Sequence, residues 1–158
     1  MTGHRVDTRA RTARSTTGTA GVIAIEVVLT PRPGAGRRAR ELVTEACARW
    51  GLPDLVGSGC LVVTELVGNA VRHAGTSISV RLHRGRRYLH FCVRDASARM
   101  PVPATAMSLA PDSPRGLLLV AAVSDRWGWR PDGAGGKVVW AMLRLPRVAG
   151  RPVTRRGR

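Results

Sequence analysis

The spacing of apolar positions changes several times along this chain, and each change predicts a new element. GVIAIEVVLT (21–30) is apolar and β-branched and runs into Pro31-Arg32-Pro33, the pattern of a strand stopped by prolines. From Arg37 to Trp50, Ala39, Leu42, Val43, Ala46 and Ala48 recur at helical spacing, and Gly51 and Pro53 end that helix. A second helix is predicted from about Asp54 to His73. Leu55, Leu61, Val62, Leu66 and Ala70, with Val63, Val67 and Val71, give it a broad apolar face, and Gly75 is its stop.

The period then falls to two. SISVRLHRGRRYLHFCVRDAS (77–97) reads as a hairpin turning at Gly85, with Ile78, Val80 and Leu82 alternating before the turn. After it Leu89, Phe91 and Val93 point one way and Tyr88, His90 and Cys92 the other. Residues 96–114 hold four prolines and no periodicity, the mark of a long functional or mobile loop. GLLLVAAVS (116–124) predicts a short helix, DRWGWRP (125–131) a strand, DGAGG (132–136) a turn and KVVWAMLRL (137–145) a closing strand. The order β-α-α-β-β-loop-α-β-β implies an α+β fold: a two-layer sandwich with a mainly antiparallel, mixed sheet and helices on one face.

Length and charge set the frame around these elements. The 158 residues suit one domain with one core, here residues 20–145. Residues 1–19 read as a flexible basic arm, with Arg5, Arg9, Arg11 and Arg14 against Asp7. Residues 146–158 read as a basic tail, with Arg147, Arg151, Arg155, Arg156 and Arg158 and no acid. The two tails carry half of the net +16, and RLHRGRR (81–87) is the one dense basic run between them. Such a chain can hold polyanions non-specifically, but it has no interleaved aromatics and no base-reading motif, so no specific nucleic-acid partner is expected. Cys47, Cys60 and Cys92 have neither disulfide-framework nor zinc spacing, which suits free thiols in a cytoplasm. The N-terminal residues lack the apolar core of a signal peptide, and the Leu117–Val123 run is too short to span a bilayer; no membrane partner is expected.

Candidate chemistry concentrates in TELVGNAVRHAG (64–75), where Glu65, Asn69 and His73 fall at i, i+4 and i+8 on one side of an otherwise apolar helix. A Glu and an Asn there must face solvent or find partners, so the spacing alone fits a solvated stripe equally well. Asp95 ends a strand, where its carboxylate could accept a hydrogen bond from an exocyclic amine or cap a turn. Arg115-Gly116 opens the third helix, where backbone N–H groups and an arginine suit phosphate. GAGGKVVWAML follows, its glycines serving at least as a hairpin turn.

In order, LVVTELVGNAVRHAG, RDASARMP, PRGLLLVAAVSDRWGW and GGKVVWAML resemble the boxes of the histidine-kinase-like ATPase family. The likeness covers roughly residues 20–145 and is nearest to its small bacterial anti-sigma-factor serine kinases. The resemblance implies the ATP-binding fold of gyrase-type, Hsp90-type and sensor-kinase domains, with ATP and Mg²⁺ as cofactors. By position, Glu65 would be the catalytic base and Asn69 the Mg²⁺ ligand, an amide oxygen being suited to a hard cation. Asp95 would read adenine, Arg115 and Gly116 would close over the phosphates, and His73, Ser97, Leu117 and Lys137 would complete the nucleotide contacts. His73 equally fits a helix-end structural histidine. The chain departs from the family in two places. Asp95 is followed by Ala96, Ser97, Ala98 and Arg99 in place of D-x-G-x-G, and Val138 stands where Thr often follows GGK. A hydroxyl support for Asp95 is therefore expected to be missing.

The resemblance implies two functions. One is an ATP-dependent protein-serine kinase acting on a STAS-type anti-anti-sigma protein and doubling as an anti-sigma factor. The other is a nucleotide-gated partner-switching module with little or no transfer. Sigma factor and STAS protein are the implied partners, with a homodimer often seen in the resembling family. Phosphoryl transfer relies on positioning and electrostatics, so Glu65 and Asn69 are the minimum equipment for the first.

Overall fold

The computed structural model describes residues 16–18, 22–99, 101 and 115–147. Its strands are Thr16–Gly18 (β1), Val22–Leu29 (β2), Ile78–Arg84 (β3), Tyr88–Asp95 (β4), Arg126–Pro131 (β5) and Lys137–Arg144 (β6). The helices are Ala35–Trp50 (α1), Val56–Ala74 (α2), led by a 3-10 turn over Pro53–Leu55, and Arg115–Val123 (α3).

The six strands form one sheet in the order β1-β2-β3-β4-β6-β5, and each pairing between them is antiparallel. Hairpins join β3 to β4 and β5 to β6, and hairpins impose antiparallel pairing on those two pairs. Thr16–Gly18 pairs with Val22–Ala24 as an edge strand. Residues 1–15 and 19 of the expected N-terminal arm lie outside the described residues, as do residues 148–158 of the tail and residues 100 and 102–114 of the long loop.

Alternation in the strands sorts side chains onto two faces. Ile25, Val27 and Leu29 of β2, Ile78, Val80 and Leu82 of β3, and Leu89, Phe91 and Val93 of β4 are buried under the helices. Each such Leu, Ile, Val or Phe contributes about 1.5–3 kcal/mol by leaving water. α1 buries Ala39, Leu42, Val43, Ala46, Cys47 and Trp50 at i, i+3, i+4 spacing. Cys47 takes the buried position one residue before the expected Ala48, which is exposed. Gly51 and Gly75 close α1 and α2 in left-handed conformation, as their positions predict.

α2 is the central helix. Over Pro53–Arg72 its mean hydropathy of 1.3 and its length would suffice to cross a bilayer. Here Val62, Val63, Leu66, Val67 and Ala70 are buried in the core it shares with α1 and the sheet. The three cysteines are free thiols, and burial pushes the Cys47 thiol up from its ordinary value.

Candidate functional site

Among the described residues the buried polar or charged side chains are three: Asn69, Asp95 and Lys137. All three are residues the sequence singles out. Burying such groups is costly unless they are partnered, so their partners define the site.

Asp95 is the last residue of β4, and β6 begins opposite it. The register pairs Leu89 with Leu143, Phe91 with Ala141, Val93 with Val139 and Asp95 with Lys137. An apolar ladder on the helix-facing side therefore ends in one charged rung. Lys137 Nζ donates to Asp95 Oδ1 at 2.8 Å and to the Ser97 carbonyl oxygen at 3.4 Å. The side chains are 0% and 1% exposed, so this is a buried ion pair. The Ser97 backbone N–H donates to the same Oδ1 at 2.9 Å, closing an Asx-type turn where the chain leaves the sheet. Asp95 Oδ2 is buried and has no hydrogen-bond partner among the described residues.

Two close approaches hold this geometry. A β-carbon at Gly136 would collide with the Asp95 carbonyl oxygen, so only glycine lets the β5–β6 turn lie against the end of β4. That turn is itself pinned by the Asp132 N–H on the Gly136 carbonyl at 2.8 Å and by an Arg94–Asp132 ion pair. At α3 a β-carbon on Gly116 would collide with the Glu65 carboxylate. α3 and α2 thereby bring Glu65 directly beneath the start of α3, where the first backbone N–H groups of the helix are uncommitted within it.

Asn69 follows Glu65 by one turn on α2 and is 3% exposed, and its Nδ2 is buried without a partner. A buried amide donor and a buried carboxylate acceptor, both unpaired, each carry a desolvation penalty of about 1–3 kcal/mol. Native proteins retain such groups where a ligand, ion or water satisfies them.

The structure revises several roles. Ser97 and Lys137 both act on Asp95: one gives its N–H to Oδ1, the other its ammonium, and the Ser97 hydroxyl accepts from the Arg99 N–H at 3.1 Å. Lys137 is therefore no exposed cation awaiting phosphate. No hydroxyl among the described residues supports Asp95, as the valine at position 138 leads one to expect, and Lys137 holds the carboxylate instead. Val138 pairs with Arg94 on the opposite face, and the rung facing Asp95 is held by Lys137. Strand alternation, which places Lys137 in phase with Val139, Ala141 and Leu143, is the signal that identifies it. The Leu117 side chain is 3% exposed in the core, so only its backbone can serve a ligand. The side chains of His73 and Arg115 lie outside the described residues, and so does most of the loop expected to close over a ligand.

Buried polar groups left unpaired among the described residues, at the sheet end and on α2, are what a ligand site leaves behind. Residues 29–143 match the family described as histidine kinase-like ATPase domain. The chain belongs to that family, and membership implies an ATP-binding regulatory domain. No curated protein matches the chain.

Proposed function

We propose that the chain binds ATP with Mg²⁺ and transfers its γ-phosphoryl group to a serine of a partner protein. The observation that carries this is the unpartnered, buried Oδ2 of Asp95. A carboxylate oxygen fixed by its neighbours but left without a donor matches an exocyclic amine, and adenine carries one. Asn69 supplies an amide oxygen for a hard cation. Among the described residues no three His, Cys, Asp or Glu side chains could hold a metal ion by themselves. A Mg²⁺ at Asn69 would thus share its ligands with phosphate and water, as this ion commonly does.

Glu65 stands one turn before Asn69 on α2 with its carboxylate against Gly116, and it is the residue we assign as general base for the incoming hydroxyl. The backbone N–H groups of Gly116 and Leu117 and the charge of Arg115 suit the phosphates. The resemblance implies an acceptor serine on another protein. Its class, by resemblance, is a STAS-fold anti-anti-sigma protein, with a sigma factor as the second partner and a homodimer as the working unit. The free thiols support a cytoplasmic location.

Incubation of the full chain with labelled ATP, Mg²⁺ and a STAS-fold protein tests this. Label on the acceptor, lost in Glu65→Gln, is the expected result. ATP binding without transfer would instead establish the partner-switching module, which the non-glycine run Ala96-Ser97-Ala98-Arg99 after Asp95 favours. Absence of ATP binding would refute both.

A further inference from the structure

We propose that Lys137 determines the base selectivity of the pocket by acting through Asp95. The inference rests on the nucleotide assignment above and deepens it. A lysine buried at 0% exposure, whose ammonium touches a carboxylate and a carbonyl oxygen, is unavailable as a phosphate ligand. Its effect on a ligand passes through the group it holds.

That effect has two parts. First, Lys137 Nζ and the Ser97 N–H both bond one carboxylate oxygen, Oδ1, and so fix the position and plane of the group. Oδ2 is left as the one uncommitted oxygen, in a fixed place. Second, the ammonium is the counter-charge beside the Asp95 carboxylate at the end of the apolar ladder formed by Leu89, Phe91 and Val93 with Leu143, Ala141 and Val139. With the ammonium present, Oδ2 accepts and does not donate. A base edge bearing an amine is admitted, and a 6-oxo group meets carboxylate oxygen against carbonyl oxygen and is rejected.

Without the ammonium the carboxyl stands in an apolar setting with no counter-charge, which favours its neutral form. A neutral carboxyl can turn either way and can donate as well as accept. The pocket then accepts a 6-amino or a 6-oxo purine with little distinction. Lys137 is thus a positioning residue: its removal moves a ratio between two ligands, which loss of general stability does not do.

The test is calorimetric titration of the full chain with ATP and with inosine triphosphate, which differ at the 6-substituent. The proteins are the wild type, Lys137→Met and Lys137→Gln, the last keeping a donor toward Oδ1 but not the charge. Far-UV circular dichroism establishes which variants fold, and the glutamine variant serves if the methionine one does not. The wild type is expected to prefer ATP by about tenfold or more. In the variants that preference should shrink to within about threefold. An unchanged preference in a folded variant would overturn the role of Lys137 and leave ATP binding intact. Equal wild-type affinities would also overturn it, together with the reading of Asp95 Oδ2 as the acceptor for an amine, and would leave only the binding of a nucleotide standing. Failure of the wild type to bind either nucleotide would overturn the nucleotide assignment and this inference with it.

Discussion

Replacing Lys137 with Met tests how much of the fold depends on the charged rung. The methionine fills most of the space of the lysine stem, so packing changes little. The Asp95 carboxylate, 1% exposed and 2.8 Å from the lost ammonium, is left with the Ser97 N–H as its remaining donor. Breaking a buried pair from one side costs about 3–5 kcal/mol. Against a domain stability of about 5–15 kcal/mol, that is about a fifth or more of the total. For a domain of this size each kcal/mol moves the melting temperature by roughly 3–5 °C, so a drop of about 10–20 °C is expected. Asp95→Asn combined with Lys137→Met removes both charges, retains the Asn carbonyl oxygen for the Ser97 N–H, and should recover at least about 2 kcal/mol of the loss. Urea denaturation of the two single variants and the double variant, followed by circular dichroism, closes the cycle. Single losses under about 1 kcal/mol, or effects that simply add, would refute the view that the two groups form an energetically coupled buried pair.

Three further outcomes follow from the site and the outer sheet face. Asn69→Ala should lower ATP affinity by about tenfold or more while leaving the melting temperature unchanged or slightly higher, because it deletes a buried amide with an unpaired Nδ2; calorimetry and thermal melts read the two effects. Gly116→Ala should raise or preserve stability, since alanine favours a helix by about 0.5–1 kcal/mol, yet reduce phosphoryl transfer by about tenfold or more by displacing the Glu65 carboxylate. On the face away from the helices, His83 stacks on His90 at 4.0 Å. Burial, then the His90 and Arg81 charges, push the His83 imidazole down to about 4 from its ordinary 6.5. The native state therefore holds His83 neutral where the unfolded chain takes up a proton. Its contribution to stability is complete above about pH 6.5 and is lost as pH falls toward 4, and urea midpoints at pH 7 and 5 should show that loss, diminished in His83→Gln.

Much of the fold is legible because burial leaves a periodic trace. The two-residue period in β3 and β4 and the 3.6-residue period in α1 each encode which face meets the core. Ala48 is apolar enough for the core, but it falls off the i, i+3, i+4 row of Ala39, Val43 and Ala46, which gives the place to Cys47. Other errors arise where tertiary contacts override the local pattern. β1 is three residues of Thr16-Thr17-Gly18, with no apolar signature, and exists because β2 offers it an edge. Nothing local in that segment distinguishes it from the arm before it.

The site divides along the same line. Glu65 and Asn69 are readable because a single helix relates them, and four-residue spacing is a local fact. Asp95 and Lys137 are related by register between strands that lie far apart in sequence, with α3 and a hairpin in between. A lysine after two glycines has the local character of an exposed turn residue, and register reverses that impression. It turns Val138 to the face opposite Asp95 and lays Lys137 on the ladder of Val139, Ala141 and Leu143, where the core would ordinarily demand another aliphatic residue. A lysine can hold that place only with an acid opposite, and Asp95 can stay a buried acceptor most readily with a base opposite. Each residue makes the other tolerable, so the pair should be gained or lost together, whereas Asn69 and Glu65 can each be changed alone.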